Sequence, residues 1–314
     1  MLPLIIDTDP GVDDAFGLAL AAASPEVDLR LVTTTYGNVP GERTAGNALR
    51  VLEMCGCADL PVARGADGPL AGHSLRAAEY VHGRDGLGGQ AGRMPLRARP
   101  VEPRPAVEVL AGTLLAADEP VTVVALGPLT NVATLLAEHP EAARRIGRLV
   151  VMGGGFRGGN VTASAEFNIW CDPEAARRVI VRSDLPVTLV PLDLTHRAGV
   201  TEEWMAALVA TGPVGEGLSR IAAGNWGMYE RMLGERRLII HDLVAVAEAV
   251  WPGILRPERV WVDVEDGHGP ARGATLADRR RYREGPREGR EIDVAADFKA
   301  ADLHERILAR FGDR

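Results

Sequence analysis

The sequence predicts an α/β protein with an open, mostly parallel, Rossmann-like sheet flanked by helices and a small antiparallel addition near the C-terminus. Short apolar runs alternate with segments of helical periodicity up to about residue 192, an order typical of a parallel sheet with helices on both faces. Beyond residue 255, segments that alternate apolar and polar residues favour exposed strands. Because no run rich in Pro, Gly and Ser separates two halves, we predict one domain over residues 1–314.

The N-terminal elements begin with a predicted strand at residues 4–6, which the turn residues Pro10 and Gly11 terminate. Helices are predicted at residues 13–23 and 41–55, with further strands at residues 29–35 and 60–63. Residues 71–99 are rich in glycine and show no clear period. We predict a long loop there, close to a site, because long loops in compact domains usually serve one.

The rest of the chain continues this alternation. Helices are predicted at residues 106–117 and 129–138 and from Asp172 onward, with strands at residues 121–125, 149–152 and 187–192. A helical region rich in Ala, Leu and Trp leads to an apolar helix at residues 243–250. The antiparallel addition comprises strands at residues 260–265, 275–278 and 292–296 and a closing helix at residues 302–311, with the arginine-rich residues 279–290 as a solvated turn.

Four carboxylates lie within eight positions just after the first predicted strand: Asp7, Asp9, Asp13 and Asp14. Asp13 and Asp14, adjacent on a helix, diverge by about 100°, so one of them can bind the same ligand as Asp9 while the other points elsewhere. Like charges this close repel unless a cation lies among them, and hard divalent cations prefer carboxylate oxygens. The stretch predicts a Ca²⁺ or Mg²⁺ site, with ordinary helix-capping acids as the alternative.

Polar side chains downstream predict a ligand site. Asn160, Glu166 and Asn168 cluster in one loop, and amide and carboxylate groups at this density suit a polyhydroxylated ligand. The alternative is that the loop amides bond their own backbone. His82 in the glycine-rich loop and Asp242 at a helix start are further candidates, although a surface histidine and a capping acid explain them equally well.

Composition excludes several classes of protein. Thirty-five Lys and Arg against 43 Asp and Glu give a net charge of −8, which argues against a nucleic-acid partner because phosphates need a basic surface. No apolar run approaches the roughly 20 residues that span a bilayer. The three cysteines are odd in number and lack the spacing of a zinc site. A reduced, cytoplasmic location is the expectation.

Several motifs together resemble one family. DTDPGVDDA at residues 7–15 resembles the D-x-D-P-G-x-D-D-A signature of the inosine-uridine preferring nucleoside hydrolases. YGN at residues 36–38, LGPLTN at 126–131, MGGG at 152–155, AEFNIWCDPEA at 165–175 and HD at 241–242 match in the family's order. The resemblance covers most of the chain. It implies Ca²⁺-dependent hydrolysis of the N-glycosidic bond of ribonucleosides to ribose and free base, a role in purine or pyrimidine salvage, and a homodimer or homotetramer.

The resemblance also implies roles for individual residues. Ca²⁺ would be held by Asp9, Asp14, Asp242 and the backbone carbonyl of Leu126. The ribose 2′-hydroxyl would be bound by Asp13 and Asn38, the 3′-hydroxyl by Asn168 and Asp242, and the 5′-hydroxyl by Asn160 and Glu166, with Met152 lining the sugar pocket.

The implied chemistry assigns two catalytic residues. Asp9 would act as general base on a metal-bound water, and His241 would protonate the leaving base, with His82 as a second candidate. Base-contacting residues are expected near Trp226, Tyr229 and Arg231, but the segment is too variable in the family to align, so the base preference stays open.

Two other functions remain as alternatives. A phosphotransferase of the haloacid dehalogenase type also begins with D-x-D after a strand and would use Asp7 as its nucleophile. That enzyme needs a lysine near the phosphoryl group, and Lys299, the sole lysine, lies in the tail. A non-catalytic ribosyl-binding protein would keep the pocket without turnover, which the intact Asp9 and His241 argue against.

Overall fold

One continuous sheet organises the chain. The structure, a computed structural model, describes residues 1–72, 77–96, 100–280 and 285–312, and all its named strands belong to this sheet. The strands are β1 Leu2–Thr8, β2 Val27–Thr34, β3 Val62–Arg64, β4 Val121–Ala125, β5 Ile146–Met152, β6 Val187–Val190, β7 Arg256–Val264, β8 Thr275–Asp278 and β9 Arg290–Asp297.

Helices connect and cover these strands. They are α1 Val12–Ala23, α2 Gly41–Met54, α3 Glu79–His82, α4 Ala106–Leu115, α5 Thr130–Glu138, α6 Pro140–Ala143, α7 Phe167–Cys171, α8 Pro173–Ile180, α9 Leu192–Thr195, α10 Glu202–Ala210, α11 Pro213–Ala222, α12 Trp226–Leu233, α13 His241–Val250 and α14 Ala300–Gly312. Two 3₁₀ turns span Ala91–Arg93 and His196–Ala198. No helix in the described ranges is long and apolar enough to cross a membrane.

The strand order is β3-β2-β1-β4-β5-β6-β9-β7-β8. Neighbouring strands from β3 to β9 run parallel, whereas β7 pairs antiparallel with both β9 and β8. The predicted fold class is therefore confirmed, including the antiparallel addition at the C-terminal end. Chain order reverses between β1 and β4, and ligands of open α/β sheets bind in the crevice at the carboxyl ends of such strands.

Successive residues of the central strands point to opposite faces of the sheet and pack into two hydrophobic cores, one on each face. Leu4 and Ile6 of β1 belong to a core that includes residues of α1, α2 and α13. Ile5, between them, belongs to the opposite core with residues of α4, α5 and α8. Burial on both faces explains why the central strands read as continuous apolar runs in the sequence.

The glycine-rich segment at residues 71–99 contains more structure than the predicted loop. It includes α3 and the first 3₁₀ turn, while residues 73–76 and 97–99 lie outside the described ranges. The Asp85 carboxylate accepts the backbone N–H groups of Leu87 at 3.0 Å, Gly89 at 2.8 Å and Ala91 at 2.9 Å. The Asp85 side chain therefore organises this segment in place of regular backbone hydrogen bonds. Such an arrangement leaves no helical or strand periodicity in the sequence. In the predicted arginine-rich turn, residues 281–284 are likewise undescribed.

Candidate active site

A pocket of about 260 Å³ opens at the carboxyl ends of the parallel strands. Ten of the predicted site residues line it: Asp13, Asn38, His82, Leu126, Met152, Asn160, Glu166, Asn168, His241 and Asp242. The other two, Asp9 and Asp14, are buried at 1% and 0% exposure and are joined to the lining residue Asn38 by hydrogen bonds. The sequence motifs therefore converge on one place.

Asp9 follows β1 directly and packs between two glycine backbones. A Cβ atom at Gly127 would lie 2.6 Å from Asp9 Oδ1, and one at Gly37 would overlap Oδ2. The backbone N–H of Asn38 donates to Oδ2 at 2.8 Å. Oδ1 is buried and has no hydrogen-bond partner among the described residues. The motifs that contain Gly37 and Gly127 thus leave one carboxylate oxygen sheltered and free to accept a ligand.

The two acids at the start of α1 have different surroundings, as their divergence on the helix predicts. Asp14 accepts the Thr8 hydroxyl, the N–H of Gly11 at 2.9 Å and the Asn38 side-chain amide at 3.0 Å. Asp13 instead lines the pocket. The three carboxylates of Asp13, Asp14 and Asp242 are nevertheless close together: one oxygen of each lies within 4.8 Å of one oxygen of each of the others.

Burial and mutual repulsion raise the pKa values of this carboxylate cluster. The pKa of Asp9 and that of Asp242 lie well above the usual range, first because of burial and then because of neighbouring carboxylates. Burial raises the pKa of Asp13 to about 6, and it also raises the pKa of Asp14. No lysine or arginine is among the described residues that line the pocket. Concentrated negative charge, together with the Asp9 oxygen that has no partner in the described ranges, fits a hard divalent cation held by oxygen ligands.

Asn168 and Leu126 are joined at the floor of the pocket. The Asn168 side-chain amide donates to the Leu126 carbonyl at 2.7 Å and to the Met152 carbonyl at 3.2 Å. Leu126 follows β4 and Met152 ends β5, so Asn168 bridges adjacent strand ends. A carbonyl oxygen has two lone pairs, and the Leu126 carbonyl therefore keeps capacity for a second partner.

Glu166 is held by the backbone around it. Its carboxylate caps α7 by accepting the N–H groups of Asn168 at 3.0 Å and Ile169 at 3.2 Å, and it accepts Gly154 N–H at 3.0 Å. Burial raises its pKa to about 7. Asn160 is exposed and its side-chain oxygen accepts Phe167 N–H at 2.9 Å.

The C-terminal strands support this polar loop. The Thr275 hydroxyl, at the start of β8, accepts Gly155 N–H at 2.9 Å and donates to Gly155 O at 3.0 Å. Ala165 forms an isolated antiparallel bridge with Ala274. The C-terminal strand region therefore holds both ends of the segment from Gly155 to Ala165, which carries Asn160 and leads directly to Glu166.

Among the histidines that line the pocket, His82 and His241 each have one ring nitrogen already occupied. His82 Nδ1 accepts the Val12 N–H at 3.0 Å, and His241 Nδ1 lies 2.7 Å from the Thr195 hydroxyl. Burial lowers the pKa of His82 to about 4 and that of His241 to about 3. Both rings are therefore neutral near pH 7, and a neutral imidazole has one nitrogen that donates and one that accepts.

Sequence reasoning missed much of the less polar outer wall, which is formed by Ala78, Tyr80, Val81, Phe167, His196, Met228 and Met232. Of the expected base-contacting residues, Tyr229 lines the pocket, whereas Trp226 and Arg231 do not. Met228, Tyr229 and Met232 lie on α12 at spacings that share one helix face, a signal that the sequence does contain. His196 carries no such signal, because it reaches the pocket through a 3₁₀ turn.

Asp7, the nucleophile of the phosphotransferase alternative, does not line the pocket. Its side chain is 0% exposed and accepts the Thr33 hydroxyl at 2.6 Å and the Asn131 amide at 2.7 Å. Lys299, whose side chain is 66% exposed, pairs with Asp302 at the surface. This arrangement does not bring a nucleophile and a lysine together.

Comparison with known proteins agrees with the family that the sequence motifs resemble. The family model described as inosine-uridine preferring nucleoside hydrolase matches residues 4–305. A pyrimidine-specific ribonucleoside hydrolase, RihA, of Photobacterium profundum is 41% identical over 287 residues, covering 90% of this chain and 91% of the relative. A non-specific ribonucleoside hydrolase, RihC, of Klebsiella pneumoniae is 40% identical over 281 residues, covering 88% of each.

Solved structures of similar fold agree with the sequence matches. A plant nucleoside hydrolase superposes with a TM-score of 0.93 at 30% identity, covering 100% of this chain and 99% of the other. A purine-preferring ribonucleoside hydrolase from Gardnerella vaginalis superposes with a TM-score of 0.89 at 30% identity, covering 99% and 98%.

Proposed function

The chain belongs to the inosine-uridine preferring nucleoside hydrolase family, and from this we propose a divalent-cation-dependent mechanism in which Asp9 activates the attacking water. The enzyme is a ribonucleoside hydrolase, which cleaves the N-glycosidic bond between ribose and base. The observation that supports the mechanism best is the buried Asp9 carboxylate. Its Oδ1 has no hydrogen-bond partner among the described residues, and the carboxylates of Asp14 and Asp13 lie close enough to raise its pKa.

We propose that Ca²⁺ is the cation and that Asp9, Asp14, Asp242 and the Leu126 carbonyl hold it. The carboxylates with oxygens within 4.8 Å of one another include Asp13 rather than Asp9. We assign Asp9 to the cation because its Oδ1 is buried and has no partner in the described part of the chain, whereas Asp13 lines the pocket, where a sugar would lie. When bound, the cation supplies positive charge that lowers the pKa of a coordinated water and orients it.

The ribose would occupy the polar half of the pocket. Asp13 and Asn38 would bind the 2′-hydroxyl, Asn168 and Asp242 the 3′-hydroxyl, and Asn160 and Glu166 the 5′-hydroxyl, with Met152 against the ring. Carboxylates suit this role since each oxygen accepts a hydroxyl hydrogen. The same negative charges stabilise the positive charge that develops on the sugar as the bond to the base breaks.

The proposed reaction moves two protons. Asp9 accepts one proton from the water as its oxygen bonds to C1′. The electron pair of the C1′–N bond passes to the base. Because the His241 ring is neutral, it assists by donating a hydrogen bond to the base rather than by giving up its proton; the base takes a proton from solvent, and Asp9 returns its own to solvent. His82 lines the same pocket and is the second candidate donor.

Base preference is the part of the proposal that the relatives constrain least. One relative is named pyrimidine-specific, another non-specific and a third purine-preferring. We infer that uridine and cytidine are substrates, because they fit the first two names. A homodimer or homotetramer, a cytoplasmic location and a salvage role stay predictions.

The test is ribose release from uridine, cytidine, inosine, adenosine and guanosine by the purified protein and by Asp9→Asn. We expect release by the wild type from the pyrimidine nucleosides at least, and a loss of about 100-fold to 10,000-fold in kcat for Asp9→Asn, which is the usual contribution of a general base. Retention of ribose binding without release from any nucleoside would instead favour the non-catalytic binding protein.

A further inference from the structure

Thr195 is a buried residue that the mechanism above does not use. It ends α9, which follows β6 at the carboxyl edge of the sheet, and it is 0% exposed. Its hydroxyl lies 2.7 Å from His241 Nδ1. Within the described part of the chain this is the hydroxyl's sole hydrogen-bond contact. Thr195 does not line the pocket, whereas His241 does.

The direction of this hydrogen bond follows from the need of a buried hydroxyl hydrogen for an acceptor. If the Thr195 hydroxyl donates, His241 Nδ1 accepts and the ring proton resides on Nε2. If the ring donates from Nδ1, the Thr195 hydrogen is left without an acceptor in the described residues. The first arrangement satisfies both groups, so it is the favoured one.

His82 provides an internal comparison. Its Nδ1 accepts the backbone N–H of Val12 at 3.0 Å, and a backbone N–H cannot reverse its role. The proton of the neutral His82 ring is therefore on Nε2. His82 and His241 thus each have Nδ1 engaged by a donor outside the pocket, and the opposite ring edge, with Nε2, is left for a ligand.

We propose that Thr195 is a positioning residue whose hydroxyl holds His241 in the Nε2–H tautomer and so presents a hydrogen-bond donor to the departing base. The proposal rests on the proposed function. As the C1′–N bond breaks, its electron pair goes to the base, and the Nε2–H of the neutral ring stabilises the developing negative charge by a hydrogen bond. The base takes its proton from solvent, and the Nε2 proton and the Thr195 hydrogen stay where they are.

The test compares Thr195→Val, which removes the hydroxyl at nearly constant volume, with Thr195→Ser, which keeps it. Two substrates are used: the best natural nucleoside and 4-nitrophenyl β-D-ribofuranoside, whose leaving group departs without protonation. We expect Thr195→Val to lower kcat on the nucleoside by about 10-fold to 100-fold, a part of what one well-placed hydrogen-bond donor to a developing negative charge contributes, and to change kcat on the nitrophenyl riboside by less than about 3-fold. Thr195→Ser should resemble the wild type on both.

A spectroscopic readout makes the test independent of turnover. Long-range ¹H–¹⁵N spectra of the ¹⁵N-histidine-labelled wild type, with His241 assigned from His241→Ala, should show an Nε2–H tautomer, and Thr195→Val should show a mixture. Equal losses on both substrates, no loss on the nucleoside, or a wild-type Nδ1–H tautomer would each overturn the proposal. Failure of the wild type to cleave even the nitrophenyl riboside would refute the proposed function, while the spectra would still decide the role of Thr195.

Discussion

At the scale of single residues, Asp9 illustrates how backbone supports side-chain chemistry. Its carboxylate is enclosed by Gly37 and Gly127, where any side chain would collide with it. The sequence identifies Asp9 as a candidate because acids cluster after a strand. It does not reveal why these two glycines matter, since that depends on β1, β2 and β4 lying side by side.

The different positions of Asp13 and Asp14 lead to a prediction about sugar recognition. Because Asp13 lines the pocket while Asp14 is buried behind it, Asp13→Ala should weaken recognition of the ribose 2′-hydroxyl. We expect kcat/KM to fall by about 100-fold or more on the ribonucleoside and by less than about 5-fold on the 2′-deoxyribonucleoside, because a site built to bind a hydroxyl discriminates strongly.

Asp13→Asn is the matched control for this prediction. It keeps the size of the side chain and a hydrogen-bonding carbonyl oxygen, so it should retain more discrimination between the two sugars than Asp13→Ala. Equal losses of kcat/KM on the ribonucleoside and the deoxyribonucleoside would show that Asp13 does not bind the 2′-hydroxyl.

Among the pocket residues, the polar ones were predictable and most of the outer ones were not. Polar residues such as Glu166 stand out because their side chains need partners wherever they are buried. Phe167 and Met228 are ordinary apolar residues in the sequence, and nothing in their local pattern distinguishes a pocket wall from a core. Their role depends on contacts between segments far apart in the chain.

At the scale of elements, the close packing of α1 on α13 brings the carboxylates at the starts of these two helices close together. These helices carry Asp14 and Asp242 in their first turns. Gly17 of α1 faces α13: a Cβ there would lie 3.0 Å from Val246 Cγ2 and 3.5 Å from the Asp242 carbonyl oxygen. Helical periodicity predicts both helices, but their close approach becomes visible only in the structure.

This packing predicts opposite effects for two similar substitutions. Gly112→Ala in α4, where a Cβ would meet nothing within 4 Å, should raise the free energy of unfolding by about 0.5–1 kcal/mol through helix propensity. Gly17→Ala should lower it by about 1–2 kcal/mol, because overpacking outweighs that gain. Urea unfolding of both variants measures the difference, and a Gly17→Ala variant as stable as Gly112→Ala would refute the tight contact.

At the scale of the whole molecule, the alternation of strands and helices was sufficient to predict the fold class. The order of strands in the sheet was not, because sequence periodicity records which face is buried but not which strand is the neighbour. That order brings the ends of β1 and β4 together, and with them Asp9 and Leu126. The 3₁₀ turn at Ala91–Arg93 and the short α7 escaped prediction because side chains, Asp85 and Glu166, organise the backbone around them.

The charge distribution predicts how pH affects cation binding. Burial and neighbouring carboxylates raise the pKa values of Asp9 and Asp242, two of the proposed Ca²⁺ ligands, well above the usual range. A cation binds the ionised form of its ligands, so protons compete with it for these oxygens. Burial also raises the pKa of the nearby Asp13 to about 6, so lowering the pH from 8 to 6 removes negative charge both from the ligands and from beside them, and affinity for Ca²⁺ should fall as the pH falls.

The most direct test of the cation-dependent mechanism measures ribose release by chelator-treated protein as free Ca²⁺ is restored, at pH 8 and at pH 6. We predict almost no release without the cation, full recovery on its return, and a half-maximal Ca²⁺ concentration at least about 10-fold higher at pH 6. Release that persists unchanged in excess chelator at both pH values would contradict the account.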